Sequence, residues 1–251
     1  MILEEFTRGS SFLHRCDARG KIIANIAFIG VIAGTGSYLV AGAGLLFSAA
    51  LSLVAGLSIK KLLQRLVLVN SFTLLLWLIL PFTYGGTETI SMAGNIQLSI
   101  AGVKLCALIT LKTNAIVLSI LSFLSTSTIA AVGHGLLSLG LPKRLAFLLL
   151  FSYRNIMVIY GQYKKLLCAA SMRCFSPTTS MHTYRTYGYL FGMTLVRSWN
   201  RGEKIQEAML MRGFDGKLHP LHHSQMRNSD YTFLVFNLIV VMMLFCLNYL
   251  P

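Results

Sequence analysis

Four long apolar stretches divide the chain, each closed off by polar or charged residues. The first covers residues 22–59. It is too long for one membrane span of about 20 residues and too short for two generous ones. Gly34-Thr35-Gly36-Ser37 near its middle predicts two shortish helices joined by a tight turn. Lys60, Lys61 and Arg65 follow, and residues 62–80 predict a span stopped by Pro81. A mixed segment, residues 83–99, carries Gly85, Gly86 and Glu88. Residues 100–124 predict another span, which contains Lys104 and Lys112, and residues 231–250 predict the last, broken only by Asn237 and Asn248.

Composition agrees with a membrane protein. Apolar residues make up 55% of the 251 positions and charged residues only 12%, against roughly 25% charged in soluble domains. That hydrophobicity also excludes a disordered chain. The charge that is present is one-sided, with 22 Lys and Arg against 8 Asp and Glu. Thirteen of the 22 basic residues lie in residues 125–230. Positive residues near span ends stay cytoplasmic. Arg15, Arg19 and Lys21 therefore place the N-terminus inside, as do Lys60 and Lys61 after a two-helix hairpin. The expected architecture is all-α and polytopic, with about five spans. Residues 1–124 hold the first four, 125–230 form a basic cytoplasmic region, and 231–251 hold the fifth. A sixth span at residues 145–160 would put Arg154 in the bilayer at a cost of at least ~2.5 kcal/mol. The first residues lack the apolar core of a cleaved signal peptide. The five cysteines are widely spaced, without a CxxC, and are expected as packing residues rather than disulfides.

Two long helical patterns stand out in the basic region. One begins near Pro142, carries Tyr153, Met157, Tyr160, Tyr163, Leu167 and Ala170 at helical steps, and ends before Pro177. The other carries Tyr184, Tyr187, Phe191, Leu195 and Trp199, then Ile205, Ala208 and Met209, and ends at Gly213 or Gly216. Each has an apolar stripe and a basic opposite face, as helices on a lipid surface do. A short near-repeat sharpens the picture. Ala169, Met172 and Arg173 close the first helix as Ala-x-x-Met-Arg, and Ala208, Met211 and Arg212 close the second in the same spelling, 39 residues on. The helix dipole accounts for a cation near a C-terminus, worth ~0.3–1 kcal/mol. It does not account for the matching Ala and Met. A small residue one turn back admits a close neighbour, Met packs adaptably, and Arg pairs with a carboxylate in bidentate fashion. Two such ends suggest two similar partner surfaces.

At this point the residues resemble the transmembrane (T) component of energy-coupling factor transporters. Residues 197–216, RSWNRGEKIQEAMLMRGFDG, carry the most specific likeness. Residues 13–21, LHRCDARGK, resemble the family's Asp-Pro-Arg-x-Lys opening, with Ala18 in place of Pro. Leu141-Pro142 followed by an apolar run and Tyr153-Arg154, and the Thr-rich Ser125-Thr126-Ser127-Thr128 before it, agree as well. The Leu-His-Arg opening and Arg-Gly-Phe-Asp-Gly ending look most like the cobalt/nickel type. The resemblance implies a non-enzymatic subunit of the plasma membrane that binds no cofactor. Its partners would be two cytoplasmic ABC ATPases, a membrane-embedded substrate-binding (S) subunit and membrane lipid, with no nucleic acid. It also implies long, crossing coupling helices whose arginine motifs dock on the ATPases, here Ala169, Met172 and Arg173, and Ala208, Met211, Arg212 and Gly213. Cys174 stands where the family more often has Gly, which leaves the chain turn after Arg173 open.

The chemistry missing from the sequence fits that division of labour. No GxxxxGK[ST] is present, so ATP is left to another chain. No predicted span carries Asp or Glu, which argues against a self-contained proton- or cation-coupled permease. That permease, with a basic lipid-binding segment, is the competing reading, alongside a vitamin-type T component; a membrane-embedded enzyme is a third. Lys104 is expected to snorkel to the interface, and Lys112 to pair with Asn or backbone groups in the bundle. His219, His222 and His223 are expected in a solvated linker rather than a metal site, and His134 as a helix-packing residue.

Overall fold

A computed structural model of the chain describes residue 13 and residues 16–83, 89–92, 96–214 and 228–249. The helices are α1 (Ala18–Gly34), α2 (Tyr38–Val54), α3 (Ile59–Thr83), α4 (Ile100–Phe123), α5 (Ile129–Ser138), α6 (Lys143–Ser171), α7 (Met181–Met211) and α8 (Asn228–Tyr249). Strands β1 (Thr89–Met92) and β2 (Ile96–Ser99) form a small antiparallel ladder between α3 and α4. The protein is an all-α polytopic membrane protein. The stretches α3, α4, Lys143–Ser171 and Asp230–Asn248 are long and apolar enough to cross a bilayer, and α2 and α5 are shorter apolar helices. The histidines at 219, 222 and 223 and the Asp215-Gly216 ending lie outside the described residues.

The local signals explain the helix ends. The Asp17 side chain caps α1 by accepting from the Arg19 N–H, and the helix ends at Gly34, where the chain turns extended at Thr35. α2 starts at Tyr38, so the small-residue turn falls where the sequence put it. Ser99 caps α4 through the Gly102 N–H. Pro81 does not stop α3, which runs on to Thr83. Two residues from the end it removes one amide donor and little else.

By its contacts the chain divides into two units, residues 1–136 with 224–251, and residues 137–223. The first is a helix bundle with two apolar clusters. One gathers Leu51, Leu57, Leu62, Leu118 and Phe123; the other gathers Phe28, Ile32, Val40, Val241 and Leu244. Between helices the glue is polar, as it is where lipid surrounds apolar surfaces. Asn70 and Asn114 exchange amide bonds of 3.1 Å, Ser119 Oγ donates to Asn25 at 3.1 Å, and Trp77 Nε1 donates to Thr110 at 3.0 Å. Lys112 donates to the Ala33 carbonyl at the C-terminal end of α1, at 3.0 Å, so its charge meets the negative end of a helix dipole. The outer faces of α3 and α8, including Leu68, Phe72, Leu78, Ile239 and Met243, stay exposed and apolar, as lipid-facing surfaces must be.

Candidate functional site

The second unit is a helical hairpin made of α6 and α7. Ser180 caps α7 through the Thr183 N–H, and the Thr178 and Thr183 hydroxyls close around it, which fixes the turn between the helices. Three aromatic contacts then hold the helices antiparallel. Phe175 meets the edge of Tyr187 at 5.7 Å near the turn, Tyr163 stacks on Phe191 at 5.2 Å further along, and Phe147 meets Phe214 at 5.4 Å at the open end. Each partner residue number falls as the other rises, so the C-terminal end of α6 and that of α7 lie at opposite ends of the hairpin. The end of α7 lies beside Phe147, 24 residues before the end of α6 at Ser171, so at 1.5 Å rise the two ends are about 36 Å apart.

Those ends carry the two arginine motifs, and they are built alike. After Arg173, the Cys174 N–H bonds to the Ser171 carbonyl and the Phe175 N–H to the Ala170 carbonyl. After Arg212, the Gly213 N–H bonds to Leu210 and the Phe214 N–H to Met209. Both are Schellman caps, which need one residue in the left-handed region. Gly213 supplies it with φ 73°, and Cys174 supplies it with φ 61°. The question the sequence left at Cys174 is thereby answered: the cysteine takes the turn that glycine takes at the other end. In each case the following phenylalanine folds back onto the opposite helix. The spacing therefore matches over seven residues, Ala-x-x-Met-Arg-(Cys/Gly)-Phe. Phe175 and Phe214 were legible in the sequence as a continuation of the repeat, yet the five-residue spelling leaves them out.

Tucking the phenylalanine in turns the preceding pair out. Met172 is 80% exposed and Met211 is 90% exposed. Ala169, Arg173, Ala208, Arg212 and Gly213 are exposed too. All seven residues singled out in the sequence thus reach solvent, three at one end of the hairpin and four at the other. Each arginine borders a groove between the helices. At the turn end a cavity of about 590 Å³ is lined by Ala169, Arg173, His182, Tyr189 and Arg197. At the open end a cavity of about 460 Å³ is lined by Arg154, Arg201, Lys204, Ala208 and Arg212. Among the described residues neither groove has a carboxylate in its lining, so both present positive charge around a small apolar floor. A further concavity of about 670 Å³, beside Trp199 and Glu203, includes neither motif. An anionic, shape-complementary protein surface is what such ends can hold.

Among the described residues no group of three or more His, Cys, Asp and Glu is placed to hold a metal ion. Comparison with known proteins bears directly on the hairpin. The transmembrane protein EcfT of an energy-coupling factor transporter in Listeria innocua is 30% identical over 86% of this chain and 85% of its own length. EcfT 1 of Listeria monocytogenes is 25% identical over 86% and 85%. An uncharacterized protein of Methanocaldococcus jannaschii is 30% identical over a shorter region, 45% of this chain and 41% of that protein. Residues 9–223, which include both arginine ends, match the family described as cobalt transport protein, CbiQ, and the chain belongs to that family.

Proposed function

We propose that the chain is the T component of an energy-coupling factor importer, with the α6–α7 hairpin as its coupling element. Arg173 and Arg212 dock on two cytoplasmic ABC ATPase subunits, which hydrolyse the ATP. The spans hold a separate membrane-embedded S subunit that binds the cargo, cobalt or nickel ion. The chain sits in the plasma membrane with its N-terminus in the cytoplasm, and the basic hairpin lies there too: Lys143–Ser171 is apolar enough to span, but spanning would draw Arg154 into the bilayer. The observation that carries this reading is the duplicated cap. Two helix ends, about 36 Å apart, present the same Met-Arg pair in the same geometry. A single partner site does not call for that duplication, whereas two like subunits do. ATP-driven closure of the ATPases would pull the two ends relative to each other and pass the movement into the spans.

The test is assembly. Arg173→Glu with Arg212→Glu replaces each cation by a charge that repels an acidic groove. Losing one partner of a buried charge pair costs ~2–5 kcal/mol, so the double variant is expected to lose co-purification with the ATPases. It should still insert and behave as a monodisperse protein in detergent. Retention of both ATPases at wild-type stoichiometry would refute the docking role. Uptake of cobalt by liposomes holding this chain alone would instead establish a self-contained permease. A complete complex that carries a vitamin and ignores cobalt and nickel would correct the cargo while leaving the coupling role.

A further inference from the structure

Lys21 is 1% exposed, and the bonds its ammonium makes among the described residues go to hydroxyls. Its ammonium donates to Ser127 Oγ at 2.9 Å and to Thr126 Oγ1 at 3.3 Å. Both hydroxyls belong to the connector between α4 and α5. Thr126 is itself fixed, since its hydroxyl donates to the Ser122 and Phe123 carbonyls. The negative charges of Asp17 and Asp230 act on the ammonium from nearby. Asp230, in the first turn of α8, also accepts the Asp17 N–H at 3.2 Å. The same turn of α1 seats α5. A side chain at Gly135 would meet Ile22, the Arg19 backbone and Ala18 at 3.2–3.5 Å. On another side, Gly20 faces Leu234 and the Asp230 carbonyl of α8.

Three elements thus converge on one turn: the α4–α5 connector, α5 and the start of α8. These matter because of chain connectivity. α5 leads out to the hairpin unit, and α8 receives the chain back from it. An apolar residue at position 21 would fill the space without the cost of burying a charge. What an ammonium adds is direction, since its N–H donors hold two neighbouring hydroxyls of the connector in fixed positions. We propose that Lys21 is a positioning residue that ties the α4–α5 connector, on the chain's way out to the hairpin, to the membrane bundle, so that hairpin movement is carried into the spans and not lost in a slack connector. The transport part of this inference rests on the function proposed above; the anchoring part does not.

Two measurements separate those parts. In the isolated full-length chain, Lys21→Met is expected to raise amide exchange of residues 124–138 at least about tenfold, leaving α3 and the hairpin helices at wild-type rates. Ser127→Ala, which removes only the shorter of the two bonds, should give a smaller rise in the same window and guards against a general folding defect. Unchanged exchange there in both variants, or a uniform rise across the chain, would overturn the anchor. In liposomes holding the full complex with cobalt as the probe, Lys21→Met is expected to assemble and hydrolyse ATP while cobalt moved per ATP falls about tenfold. An unchanged ratio would overturn the coupling role. A wild-type complex that moves no cobalt would count against the proposed function, and the exchange result would still decide the anchor.

Discussion

The two caps meet the same demand with different residues, and this yields a sharp test. Cys174 and Gly213 occupy the same step of the same Schellman turn, at φ 61° and 73°. A residue with a Cβ loses roughly 1–2 kcal/mol in the left-handed region. Cys174→Gly removes that strain but adds glycine's extra unfolded freedom, about 0.5–1 kcal/mol. The net gain for the end of α6 is then ~0.5–1 kcal/mol. Gly213→Ala runs the balance backwards and loses a similar amount at the end of α7. Open space surrounds the Gly213 α-carbon, so no steric clash adds to the cost. Because the helix termini open locally, the readout is amide exchange of the last turn and not a global melt. At ~1.4 kcal/mol per tenfold, the capping amides of residues 174–175 should exchange about two- to fivefold slower in Cys174→Gly. Those of residues 213–214 should exchange about two- to fivefold faster in Gly213→Ala. Shifts of the same sign at both ends would refute the equivalence of the caps, and with it the strain assigned to Cys174.

Two further outcomes follow from packing and exposure. A Cβ at Gly102 would stand 3.0 Å from the Leu80 carbonyl oxygen and 3.1 Å from the Pro81 Cα, both backbone atoms. Gly102→Ala must therefore push α3 and α4 apart, with an expected loss of about 1–3 kcal/mol seen as earlier thermal aggregation in detergent. Among the cysteines, Cys168, Cys174 and Cys246 are exposed and Cys16 and Cys106 are buried. A water-soluble maleimide applied to proteoliposomes that are open on the cytoplasmic side should label Cys168 and Cys174. Cys246 should stay dark against lipid, and Cys16 should react slowly, since burial, and then Asp230, raise its thiol above the usual value. Added ATPases should protect Cys174 in step with docking at Arg173.

Much of this fold was legible because membrane insertion rewards local signals. The break at Gly34 to Ser37 and the start of α6 after Pro142 each depend on residues next to one another. The exposure of the Met-Arg pairs was legible too, since the repeat asks for a common surface. What the chain order concealed is long-range. Lys21 finds Thr126 and Ser127 more than a hundred positions away, and no periodicity announces a buried ammonium held by hydroxyls. Lys112 shows the same limit. The sequence anticipates an Asn or backbone partner but not that the Ala33 carbonyl, at the end of another helix, would be the one.

The arrangement of the arginine ends was implicit in the sequence but needs one more step of reasoning. Two long helices joined by a short capped turn can pack along their length only if antiparallel, as Tyr163 with Phe191 and Phe147 with Phe214 do here. Two C-terminal motifs must then face away from each other. Side by side, both arginines could be gripped by one partner and would move together. At opposite ends, each needs its own partner, and a change in the spacing of those partners must bend, slide or rotate the hairpin that joins them. The proposed coupling role requires a part whose two ends can be pulled on separately. Antiparallel packing supplies it from nothing more than a nine-residue turn and a repeated helix ending.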